Sequence, residues 1–186
     1  MTVTPVSPVE RRGLGWVALP IVVFALVALT AGVVAREVGG SAGTYFELFF
    51  SDTIHMKVWL ASAALACGAF QVLSAAWIYG KLPWRKPRWV NAAHRVSGFL
   101  AFAFTLPVAY HCIFQLGFQT GTTRAYAHSL LGSAFFGAYA AKVTIVELRR
   151  FPVPVLPIAG GILFTVLLVV WLTSSLWFFR TVDTGF

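Results

Sequence analysis

Five long apolar segments, at roughly residues 15–35, 54–79, 91–116, 125–148 and 155–179, dominate this chain, and each is long enough to cross the hydrocarbon core of a bilayer. Inside lipid every backbone polar group must find its partner within the segment, so each run reads as an α-helix. The expected fold class is therefore all-α, an integral membrane bundle of five transmembrane helices. In 186 residues, five spans leave room for loops but not for a second folded domain. The expected layout is a cytoplasmic N-terminal tail at 1–14, a single five-helix domain at 15–180 and an extracytoplasmic C-terminal tail at 181–186.

Composition enters as a check on this reading. With 59% hydrophobic and 11% charged residues, a water-soluble globule of this chain could not cover its surface with polar groups. The formal charge of +8 would raise nucleic acid as a partner for a soluble protein. Here the basic residues fall mainly in short loops between apolar runs, where they act as topology signals. The expected partner is the lipid bilayer, not nucleic acid. The run from Gly15 to Ala35 follows Arg11 and Arg12 but is too long for a signal-peptide core, so it reads as a retained signal-anchor helix.

Orientation follows from Lys and Arg. Arg11, Arg12, Lys81, Arg85, Lys86, Arg88, Arg95, Lys142, Arg149 and Arg150 fall on one side, against Arg36, Lys57, Arg124 and Arg180 on the other. That bias puts the N-terminus and the 80–90 loop in the cytoplasm, and an odd number of spans puts Phe186 outside. Trp77, Tyr79, Trp84 and Trp89 read as interfacial anchors at the inner side, and Trp177, Phe178 and Phe179 at the outer side. Pro107 should kink the third helix. The loop from Glu37 to Thr53, Gly-rich and then aromatic, is expected on the outer surface. Cys67 and Cys112 lie within apolar runs and read as free core thiols.

All four histidines of the chain, His55, His94, His111 and His128, fall in or at the edges of these spans, where an ionisable side chain is costly and marks a functional site by default. The topology sorts them by depth. His55, His111 and His128 lie within one or two turns of a common outer level on three helices, while His94 stands alone near the inner face. Imidazole is an axial ligand of haem iron, and bundles hold such groups between facing helices. One bis-His haem b near the outer leaflet is the expectation. His55 and His128 are the preferred ligands, and His111 is an alternative ligand or a hydrogen-bonding neighbour. Lys57 and Arg124 are candidates to meet the propionates, and Ser62, Gly132 and Gly137 could let the ring approach a backbone. A second, inner haem at His94 is not favoured. His94 and His111 are about 100° apart around their helix, and no other histidine lies near the inner face. His94 then reads as an interfacial hydrogen-bonding residue or as part of an inner quinone site.

Two plainer readings stand beside this one. Histidines at an interface often only cap helices or meet headgroups, which would make the chain a non-redox membrane scaffold or accessory subunit. Three imidazoles can also hold Zn or Cu, with Cys112 and Asp52 as further candidate ligands. No catalytic triad, P-loop, dinucleotide fingerprint or paired carboxylates occur to indicate an enzyme with its own substrate pocket.

The run His94-Arg-Val-Ser-Gly98 through Pro107-Val-Ala-Tyr-His111-Cys112, the segment Ala127-His128-Ser-Leu-Leu-Gly132 and the opening His55-Met-Lys57 resemble a small bacterial membrane family of unknown function that is similar to the cytochrome b561 group. The resemblance covers about residues 50–180. It implies a four-helix haem core in helices 2–5 that moves electrons across or along a bacterial plasma membrane. Quinol or an extracytoplasmic redox protein, or a respiratory complex, would be the partner. If the protein is catalytic, the resemblance implies quinol oxidation or ferric reduction. Carried over by position, His55 and His128 form the outer pair. The sequence departs from the group in that the fifth helix has no histidine to pair with His94, and His111 is extra.

Overall fold

A computed structural model describes residues 15–40 and 45–181. The tail expected at 1–14, with Arg11 and Arg12, and residues 182–186 of the tail expected at 181–186 lie outside the described residues. The chain is all-helical. In order come α1 (Gly15–Val38), α2 (Thr53–Ile78), α3 (Val90–Tyr110) continued by a π-helical turn (His111–Leu116), α4 (Thr123–Leu148), α5 (Val155–Thr173) and α6 (Ser175–Thr181). Five helices are long and apolar enough to cross a membrane, the fifth span being α5 and α6 together. The distribution of side chains suits lipid. Leu19, Ile21, Leu26, Leu29 and Val33 stand exposed along α1, whereas His111, Gln115, Ser74, Thr105 and Ser175 are buried. These are the helices of a multi-pass membrane protein.

Two expected helices are interrupted, each for a local reason. Pro107 has no N–H to give to the helix ladder. Four residues on, the His111 N–H is shared between the carbonyls of Pro107 and Val108, and the backbone widens into the π-helical turn. The span expected at 155–179 breaks at Ser174, within the run Thr173-Ser174-Ser175, whose hydroxyls compete for backbone groups. Thr173 Oγ1 donates to the Val169 and Val170 carbonyls and Ser174 Oγ to that of Val170. The break leaves the Thr173 carbonyl open to an outside donor.

The helices close a ring in which α2 packs on α3 and α5, α5 on α4, α4 on α1, and α1 on the π-helical turn that extends α3. Helices α2 and α4 therefore stand across the bundle from each other. α3 faces α4 through ring stacking, Phe102 on Tyr139 at 4.1 Å. α1 meets α4 closely at Gly137, where a Cβ would lie 2.6 Å from the Phe24 carbonyl oxygen. At the far end of α1, Gly39 crosses Gly117, whose φ of +71° suits glycine, and Phe118 N–H donates to Ala35 O at 3.0 Å.

The two ends of the bundle differ. One holds the loop between α2 and α3 and the turn between α4 and α5, with their Lys and Arg residues. Here Trp77 packs edge-on against Trp84 and Trp89, and Trp16 meets Phe151. This is called the basic end below. The opposite end gathers the N-termini of α2 and α4, the π-helical turn and α6.

Candidate cofactor site

The end opposite the basic loops holds three of the four histidines, and local sequence places each. Asp52 caps α2. Its carboxylate accepts the His55 N–H at 2.8 Å and the His55 Nδ1–H at 2.5 Å. This Asp-x-x-His spacing ties ring and cap together. The two bonds, the backbone one first, hold the Asp52 carboxyl below its ordinary pKa. The other side of the half-buried His55 ring meets Phe178 of α6 edge-on, at 5.6 Å between centroids.

His128 lies one turn into α4, which is capped by Thr122. Its Nδ1 is 3.2 Å from Thr173 Oγ1. Because that hydroxyl already gives its hydrogen to helix carbonyls, it accepts here and His128 Nδ1–H donates. Arg124, one turn before His128, donates to the freed Thr173 carbonyl at 2.6 Å and lies over the Trp177 ring at 3.9 Å. His55, His128 and Arg124 thus converge on one stretch of chain, residues 173–178.

His111 is placed differently. It is 0% exposed, and both ring nitrogens are occupied. Nδ1–H donates to the Pro107 carbonyl at 2.9 Å, and Nε2 accepts the Phe46 N–H at 3.4 Å. The rings of Tyr45, Phe46 and Tyr110 enclose it. The aromatic segment before α2 therefore folds in over His111, and the alternative ligand of the sequence reading serves as a buried connector.

Among the described residues, the ring hydrogen bonds to side chains of His55 and His128 run through Nδ1. In metal-ligating histidines a hydrogen bond at the other ring nitrogen fixes the tautomer and the ring orientation. No group of three His, Cys, Asp or Glu side chains comes together among the described residues as a Zn or Cu site would require, and Cys67 and Cys112 are free thiols. Two axial imidazoles on opposite helices need no such group. The auxiliary residues fare unevenly. A Cβ on Gly132 would meet nothing within 4 Å, but Gly137 is used against α1 and Ser62 accepts the Trp171 indole N–H at 2.9 Å. Arg124 is engaged with Thr173 and Trp177, whereas Lys57 has no hydrogen-bond partner among the described residues.

His94, at the basic end, also has its ring held by Nδ1, which donates to Ser74 Oγ at 2.8 Å. It lines a cavity of about 690 Å³ bounded by α2, α3, α4 and α5, together with Gln71, Tyr139 and Lys142. Sequence reasoning counted Lys142 only as a topology signal and passed over Gln71 and Tyr139. Their signal was polarity inside an apolar run. Phe178 and Thr173 were missed as well, one read as an anchor and the other as part of an unbroken helix.

A model of a family of unknown function, DUF6529, matches residues 17–186. No curated protein and no solved structure matches the chain.

Proposed function

The chain belongs to the family of unknown function DUF6529, which assigns it no chemistry, and from that footing we propose that it is a membrane electron-transfer protein resembling b-type cytochromes. In this reading His55 and His128 would hold a haem b. The supporting observation is the contrast among the histidines: the side-chain hydrogen bonds of these two rings run through Nδ1, while His111 has both nitrogens occupied. A haem b bound there supplies a one-electron ferric/ferrous couple. The chain's own residues do the rest. Asp52 accepts the Nδ1 proton of His55 and strengthens its Nε2 as a donor, and Thr173 does the same more weakly for His128. Lys57 offers a positive charge to carboxylates, and Phe178 shields one face of His55 from water.

In this reading, which rests on the Lys and Arg bias of the sequence, the site would face the outer leaflet of a bacterial plasma membrane and the basic end the cytoplasm. An extracytoplasmic redox protein or a respiratory complex would exchange electrons there, with quinol as a membrane-borne donor. A specific observation favours a second reading, the non-redox accessory subunit. The bonds that orient His55 and His128 also cap α2 and tie α4 to the break between α5 and α6.

Spectra of purified variants separate the two. His55→Ala and His128→Ala are expected to abolish a dithionite-reduced b-type band, and His111→Ala to keep it in whatever folded fraction survives. A band that persists in His128→Ala refutes the assigned pair.

A further inference from the structure

The cavity at the basic end is not used by the reading above, and its chemistry is one-sided. It lies inside the span region and is walled mostly by apolar side chains, with a volume of about 690 Å³ in the ordinary range of ligand sites. Lys142 of α4 lines it, about one and a half turns from the helix end, with no ion pair or hydrogen bond among the described residues. His94, a base, and Lys81 line the same cavity. No Asp or Glu lines the cavity. An ammonium group at this depth needs a counter-charge, and the described residues supply none.

The far wall is built to admit a chain. Gly160 and Gly161 of α5 face it, and a Cβ on either would meet nothing within 4 Å, so the slot is open rather than packed. Across it, Gln71 lies against Gly98 and donates to the His94 carbonyl and to Ser97 Oγ at 2.7 Å. Those bonds fix the polar rim. Cationic pockets between transmembrane helices on the positive side of a bundle bind acidic lipid headgroups.

We infer that this cavity binds one anionic membrane lipid, its phosphate paired with Lys142 beside His94 and an acyl chain lying along Gly160 and Gly161. The positive charge without a carboxylate selects an anion, and the glycine slot selects an amphiphile over a free phosphate. The site lies at the other end of the bundle from His55 and His128 and does not depend on their role.

Native mass spectrometry of the delipidated full chain tests it, with phosphatidylglycerol, phosphatidylcholine or inorganic phosphate added. One retained phosphatidylglycerol per chain is expected, with weaker retention of phosphatidylcholine and none of phosphate. Lys142→Gln should lower phosphatidylglycerol retention about fivefold or more, and Lys142→Arg should keep it. Gly160→Leu should block it by filling the slot, with helical content by circular dichroism confirming the fold of each variant. Equal retention of the two lipids, unchanged retention in Lys142→Gln, binding of free phosphate alone, or a purified protein that carries a neutral quinone in this cavity would each overturn the inference.

Discussion

His111 and Asp52 show how single polar groups are handled in this bundle. His111 is fully enclosed, and its Nε2 is the acceptor for the Phe46 N–H. Replacing it with Ala strands that donor and opens a cavity, at a cost of about 1–3 kcal/mol for the lost hydrogen bond alone. Thermal melting in detergent is expected to show the loss, whereas a haem band in the folded fraction stays. Asp52 acts through its charge. Its folded pKa is lowered, so its stabilisation is present above the unfolded value and fades as pH falls through the folded value. Wild-type protein should therefore lose stability below about pH 4 more steeply than Asp52→Asn, which still caps α2 but does not titrate there. A pair of parallel melting-temperature profiles would contradict that role. The histidines were legible as a set because ionisable residues are rare in apolar runs. Which nitrogens were engaged was not, since it depends on Phe46 and Thr173, far away in sequence.

At the level of helices, the contact between α1 and α4 is set by a missing side chain. A Cβ at Gly137 would lie 2.6 Å from Phe24 O and 3.0 Å from Ala28 Cβ, and a backbone oxygen cannot swing aside. Gly137→Ala is expected to destabilise the protein by about 1–3 kcal/mol, read as a lower melting temperature or as easier proteolysis of α1. An unaffected melt would mean that α1 is not held here. Sequence alone offered Gly137 to a cofactor, because glycine marks close approach without saying to what. The five spans were legible from length and hydropathy. The interruptions at His111 and Ser174 were not, because a proline or a Ser/Thr cluster signals strain in the helix ladder without fixing how the backbone relieves it. Those interruptions matter to the site, since the second one opens the Thr173 carbonyl to Arg124 and sets Phe178 against His55.

Across the whole molecule, the ring of five spans places α2 and α4 on opposite sides and brings His55 and His128 to one end, over residues 173–178. His94 is left at the other end with a cavity of its own. Depth along the bundle could be counted from the sequence, so the grouping of histidines by end was legible. The cavity could not be counted, because it is formed by side chains from four helices whose rotations no single segment reveals. The electron-transfer reading rests on the outer pair and is tested most directly by measuring haem per chain. Wild-type protein purified from haem-replete cells, assayed as the pyridine haemochrome against protein concentration, is expected to carry about one b-type haem per chain. A helical, monodisperse and colourless preparation with no haem would contradict it.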